Sequence, residues 1–168
     1  QTIMIYISVS GVMCRKYVHI FLIKKRYRIS MQTFLPYKDY NQTARCLDYR
    51  RLGKQRIECK QILNALAGYS KGWTRHPATL MWKGYESELC QYGISICKEW
   101  IARSYKDQQL DWFIKENENY PTIGKPTWLG SIDFHHSHRS NLLRKDFIFY
   151  NKYNWNVPND MEYVWPSN

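Results

Sequence analysis

Four cations and two carboxylates crowd the eleven residues Asp48-Tyr49-Arg50-Arg51-Leu52-Gly53-Lys54-Gln55-Arg56-Ile57-Glu58. Acids set among such cations can exchange protons beside a bound polyanion, while Arg and Lys grip phosphate oxygens. At about 100° per residue, Leu52, Cys59, Ile62, Leu63 and Leu66 share one arc of a helix, and Asp48 and Gln55 fall inside it. Arg50 and Lys54 lie on the far side, flanked by Arg56 and Lys60. A carboxylate on a core-facing arc must find a partner or shift its pKa, because an unpaired buried charge is costly. Asp48 therefore reads either as a helix cap or partner of an Arg from elsewhere, or as a functional acid. Gly53 is a potential helix break, which would scatter the arc.

Two further basic clusters follow, Arg75-His76 and the run from His135 to Lys145. In the second, His138, Arg139, Asn141, Arg144 and Lys145 suit phosphate oxygens, and Leu142-Leu143 would anchor a helix. The same histidines also suit structural hydrogen bonds. Trp73, Trp82 and Trp128 lie near these clusters in sequence, where they could stack on a displaced base or simply fill a core. The five cysteines are odd in number and include no Cys-x-x-Cys pair, a pattern of free thiols in a reducing compartment rather than of a zinc site.

The net charge of +11 favours a polyanionic partner. Residues 1–30 carry six of the bases and no acid, leaving 19 bases and 14 acids beyond them. Their apolar run Ile3 to Val12 is too short for a membrane span and lacks the layout of a signal peptide. Met31 reads as the true start, with residues 1–30 either upstream translated sequence or a basic and apolar N-terminal extension and residues 31–168 a helical domain; Met4 and Met13 are the alternative starts. From Met31 the pattern is helical after an extended entry at Thr33 to Tyr37. Asn41 is a plausible cap for a segment ending at Leu47, followed by a long helix to Leu66 that stops at Gly68. Pro77 suits a first helical turn. Met81, Tyr85, Leu89, Tyr92, Ile96 and Trp100 recur at helical spacing as a core stripe. Asp107 to Lys115 and Phe134 to Tyr150 read as further helices, and Pro158 to Pro166 as an aromatic tail packing back on them. The fold expected is an all-α, compact single-domain helical bundle with long loops.

From Met31 to about Pro166 the chain resembles the pyrimidine-dimer DNA glycosylase family of the phage endonuclease V type, and most closely a largely uncharacterised microbial branch of it. The blocks that carry the resemblance include Met31-Gln32-Thr33-Phe34-Leu35-Pro36, Leu52-Gly53-Lys54-Gln55-Arg56, His76-Pro77 with Met81-Trp82, Trp128-Leu129-Gly130, His138 to Asp146, and Tyr163-Val164-Trp165-Pro166. The resemblance implies a combined glycosylase and abasic-site lyase whose nucleophile is the backbone amine of the residue after the initiator Met. By position that amine belongs to Gln32, or to Met31 if the Met is retained. An α-amine, with a pKa of about 7.7–8.0, is partly neutral at physiological pH. If residues 1–30 remain attached, Lys54 is the fallback imine-forming group. The family's catalytic glutamate falls at Arg51, so Asp48 is the first substitute carboxylate and Glu58 the second. Arg50 and Lys54 match the family's backbone-gripping positions.

The leading expectation is thus a DNA-repair glycosylase or lyase, acting without a cofactor or metal, as a monomer, on double-stranded DNA containing damaged or modified bases. Its DNA-binding set would be Arg50, Arg51, Lys54, Arg56, Arg75, His76, His138, Arg139, Asn141, Arg144 and Lys145. The expected location is intracellular, cytoplasmic or on the nucleoid, with no membrane association. A non-catalytic nucleic-acid-binding protein on the same scaffold is the alternative. A metal-dependent nuclease built on His76, His135, His136 and His138 is a third reading.

Overall fold

The computed structural model describes residues 31–166, together with two short strands, β1 (Ser8–Val9) and β2 (Val12–Met13). The strands pair antiparallel, Ser8 with Met13 and Val9 with Val12. The chain divides into two compact units, Gln1–Ser30 and Met31–Asn168. The reading of residues 1–30 as an extension falls, apart from this strand pair, outside the described residues.

The larger unit is all-α. Its first helix, α1 (Tyr40–Cys46), is capped by Asp39, whose carboxylate accepts from Gln42 N at 2.6 Å. Asn41, expected as the cap, lies within the helix instead. The long helix α2 (Tyr49–Leu66) starts at Asp48 and gives way to Gly68, whose φ of +79° suits a residue without Cβ. Gly53 does not break it. A Cβ there would sit 3.0 Å from the Trp100 ring, so the glycine lets α2 approach that indole closely.

Pro77 opens the short helix α3 (Pro77–Leu80), which His76 caps. The core stripe expected from Met81 belongs to two elements. Met81 and Tyr85 lie in a turn through Gly84 (φ +83°), and α4 (Glu86–Ala102) carries Leu89, Tyr92 and Ile96 into the interior. Asp107 accepts from the N–H groups of Gln109 and Leu110, so α5 (Leu110–Asn117) begins three residues later than expected. The helix expected from Phe134 to Tyr150 is two helices, α6 (Ile132–Lys145) and α7 (Phe147–Tyr150). The break is at Asp146, whose extended backbone ends one helix and whose side chain caps the next.

Helix α2 packs on α4, and α4 packs also on α1 and α5. Leu52, Cys59, Ile62 and Leu63 of α2 meet Leu89, Tyr92 and Ile96 of α4 in the core. Each such aliphatic side chain contributes on the order of 1.5–3 kcal/mol by burial. Cys46, Cys59, Cys90 and Cys97 are buried free thiols, and burial pushes Cys46, Cys90 and Cys97 up to about 12, outside the reactive range. Among the described residues no helix is long and apolar enough to cross a membrane.

Candidate active site

An extended peptide, Met31 to Pro36, runs buried among these helices, and the described residues of its own unit form no strand. Buried peptide groups must be paired, and here side chains do the pairing. Gln55 of α2 accepts from Phe34 N at 2.8 Å and donates to Gln32 O at 2.7 Å. Tyr92 of α4 donates its hydroxyl to Phe34 O at 2.7 Å. From α6, His138 Nδ1 accepts from Leu35 N at 3.3 Å, His135 Nδ1 meets Leu35 O at 2.7 Å, and Arg139 donates to Pro36 O at 2.8 Å. Trp82 donates to the Thr33 hydroxyl at 3.0 Å. The polar residues that α2 and α6 turn inward therefore act as a substitute sheet edge for one strand.

At the start of this peptide the nitrogen of Gln32 donates to Glu58 Oε1 at 3.3 Å. The other oxygen, Oε2, accepts from Gln55 at 2.7 Å, and Lys54 Nζ lies 3.2 Å from Oε1. Glu58 is 3% exposed. Burial raises its pKa, and Lys54, the Gln32 N–H and Lys145 pull in the opposite direction. A carboxylate so poised, beside the residue where the sequence expects the nucleophile, can stabilise a nearby cation and exchange a proton.

Asp48, expected as the first substitute carboxylate, is engaged in contacts of its own. Its Oδ1 accepts from the N–H groups of Arg50 and Arg51, capping α2, and its Oδ2 accepts from the Tyr150 hydroxyl at 2.5 Å and from Arg51 Nη1 at 3.0 Å. The cap and the arginine partner together occupy the group. Arg51 is likewise turned inward: it also reaches Asp146 at 3.4 Å and the Lys145 carbonyl at 3.1 Å, clamping the start of α2 to the end of α6.

Several residues expected on DNA are structural. Arg56 is ion-paired with Asp107 and lies over the Trp100 ring. His138 is fully buried, which lowers its pKa to about 3. Asn141 is buried and donates to Ser137 O and Met161 O, and Arg139 lies over Tyr37 with its Nε on Pro36 O. His76 caps α3 through its Nδ1 and stands edge-on to Trp73 and Trp165. Trp82 and Trp128 are core residues, while Trp73 is 42% exposed. His135 completes a neutral pair of bonds by accepting from Gly130 N at 3.0 Å. Among the described residues no three His, Cys, Asp or Glu side chains are grouped to hold a metal ion.

Of the cations expected on DNA, those exposed at the surface are Arg50, Lys54, Arg75, Arg144 and Lys145, Arg144 also donating to Asn141 Oδ1 and to Met161 O at 3.3 Å. Lys54 and Lys145 stand beside the Glu58 site: Lys145 Nζ lies 5.8 Å from the Phe34 ring centre and interacts electrostatically with Glu58 and Lys54. Met31 is buried, with its sulfur accepting from the Thr79 hydroxyl at 3.8 Å. The aromatic tail lies over the same place. Tyr163 Oη faces the Gln32 side chain, and Val164 N is held by the Ser137 hydroxyl at 3.2 Å. Gln32 Nε2 and Oε1, His138 Nε2 and Tyr163 Oη are buried without a hydrogen-bond partner among the described residues. An open cleft of about 710 Å³ lies toward the other end of the extended peptide, lined by Tyr37, Lys38, Tyr40, Lys125, His135 and Arg139.

The roles of Gln55 and Tyr92 were not anticipated. Their signal was a glutamine on the apolar arc of α2 and a tyrosine in the apolar stripe of α4, both asking for a buried polar partner.

Residues 31–112 match the family model described as pyrimidine dimer DNA glycosylase. The match spans the extended peptide, α1 to α4 and the first turn of α5, and over that segment the chain is similar to that family. No curated protein and no solved structure matches the chain.

Proposed function

We propose that this protein, similar over residues 31–112 to the pyrimidine dimer DNA glycosylase family, is a base-excision glycosylase and abasic-site lyase acting on duplex DNA that carries damaged bases, pyrimidine dimers first among them. The observation that carries the reading is the Glu58 carboxylate at the Gln32 nitrogen, 3.3 Å away. Cleaving a glycosidic bond builds positive charge at the sugar C1′, and a buried carboxylate stabilises that charge far better than water does. Imine formation at C1′ then needs a neutral amine, and strand cleavage needs a base to take a proton from C2′. Glu58 suits the second task, because burial raises its affinity for protons above that of an ordinary glutamate. A chain whose first residue is Met31 or Gln32 would bring its α-amine to this carboxylate.

The exposed cations Arg50, Lys54, Arg75, Arg144 and Lys145 supply the phosphate grip. A protein of this kind works as a monomer on the cell's own DNA. The non-catalytic reading draws on Arg51, a cation at the position where the family has its glutamate. The two readings separate in one assay on duplexes bearing a single abasic site or a single dimer. Borohydride should trap a covalent adduct, and strand cleavage should persist in EDTA and vanish in Glu58→Gln. Salt-sensitive binding with neither adduct nor cleavage would establish the non-catalytic reading instead.

A further inference from the structure

In the 168-residue chain the Gln32 nitrogen is a peptide amide, whose lone pair is delocalised into the carbonyl. It donates its hydrogen to Glu58 and offers no nucleophile. Lys54, a primary amine beside that site, has its ammonium 3.2 Å from a Glu58 oxygen. A second lysine is placed differently. Lys145 closes α6, and its backbone is pinned there because Arg51 takes its carbonyl oxygen at 3.1 Å while the next residue, Asp146, caps α7 and pairs with Arg51. Its side chain is exposed toward solvent, yet the ammonium approaches the face of Phe34, two residues beyond Gln32.

We infer that Lys145 supplies the amine of the lyase reaction in this chain, with Glu58 as the proton acceptor. The inference rests on the lyase reading above and adds the identity of the covalent residue. The neutral Nζ adds to the C1′ aldehyde of an abasic site, and the carbinolamine loses water to leave a protonated imine. Glu58 then takes a proton from C2′, the C2′–H electrons form the C2′–C3′ double bond, and the C3′–O bond breaks. The downstream strand departs with a 5′-phosphate, and water hydrolyses the imine to return the lysine.

The charge environment supports this role. Contact with the protein interior disfavours the ammonium of Lys145, and the cations Arg51, Lys54 and Arg144 disfavour it further, with Glu58 acting the other way. A lysine flanked by cations and partly desolvated is the arrangement that leaves an amine free to attack. Lys145 also lies outside the segment 31–112 that matches the family model.

The test uses the full 168-residue protein and a duplex with one abasic site, reduced with borohydride, digested and sequenced by mass spectrometry. The expected cross-linked peptide carries the sugar remnant on Lys145. Lys145→Arg, which keeps the charge but stays protonated, should lose trapping by about 100-fold while still binding the duplex. Because the wild-type adduct is mapped directly, a poorly folding variant does not decide the matter. An adduct on an N-terminal amine or on Lys54 would overturn the assignment and leave the lyase reading standing. No adduct anywhere would remove both.

Discussion

Glu58 and Gln32 meet across 26 residues of chain because Gln55 holds both of them, donating to the Gln32 carbonyl at 2.7 Å and to the Glu58 carboxylate at 2.7 Å. One side-chain amide, one turn before the acid on α2, thus fixes the acid and the peptide nitrogen in a single hydrogen-bonded unit. Glu58→Gln should cut single-turnover cleavage of abasic DNA by about 10²–10⁴-fold with duplex binding retained. A proton acceptor must be ionised, and burial holds this carboxyl above its ordinary range. The cleavage rate should therefore fall with decreasing pH at a point above the usual glutamate value of about 4.3, and a rate flat through that region would argue against Glu58.

Asp48 is the contrasting acid. Asp48→Ala removes the α2 cap and leaves the Tyr150 hydroxyl and Arg51 short of an acceptor, a loss of about 1–3 kcal/mol. Asp48→Asn keeps most of the cap and should cost less. In both, cleavage per folded molecule should stay within a few-fold of wild type, read from activity normalised to the folded fraction in a denaturant titration. A selective loss of activity would return Asp48 to the site.

How far this was legible in the sequence depends on which force set each feature. Helices α2 and α4 were readable because apolar spacing reports burial directly. The bend at Asp146 was not, since an acid between two helical stretches looks like any surface residue until its cap is seen. The choice between Asp48 and Glu58 was beyond periodicity for a related reason. Both sit where α2 faces inward, and only the path of the Met31 to Pro36 peptide, a long-range contact, decides which of them it passes. The bonds made by the histidines of α6 were illegible for the same cause: their types suit phosphate, and only the path of the Met31 to Pro36 peptide shows that His135 and His138 bond to Leu35.

Duplex affinity should depend on salt through the exposed cations and not through the engaged ones. Removing Arg50 or Arg75 should each lower the log–log salt slope by about 1 if it contacts a phosphate. Arg56→Ala should leave the slope alone and lower stability instead, because Arg56 spends its guanidinium on Asp107 and Trp100. Fluorescence anisotropy across a salt series, paired with thermal melts, distinguishes the two groups.

Two helical glycines are spacers. A Cβ at Gly93 would meet three Phe113 ring carbons at 2.7 to 2.9 Å, and that ring is fully buried between α4 and α5. Gly93→Ala should cost about 1–3 kcal/mol through overpacking, although alanine is the better helix former by about 0.5–1 kcal/mol. At Gly53 the facing indole of Trp100 is partly exposed and has room to shift, so the penalty of Gly53→Ala should be smaller. Urea midpoints of the two variants should fall in that order.

The buried histidines make the fold sensitive to mild acid. His138 accepts from Leu35 N, and His135 is held neutral between Leu35 O and Gly130 N, so protonating either one breaks a bond the central peptide relies on. Burial lowers both pKa values, that of His138 to about 3. In the unfolded chain the same rings take up protons near pH 6.5. Below that pH the unfolded state binds more protons than the native one, so stability is complete above about 6.5 and drains away as the pH falls, for His138 down toward 3. Urea midpoints measured from pH 7.5 to 4 should trace this decline. His138→Gln, which keeps an acceptor for Leu35 N but cannot titrate, should start lower and fall less steeply. An equal slope in wild type and variant would mean that carboxylates elsewhere set the acid sensitivity.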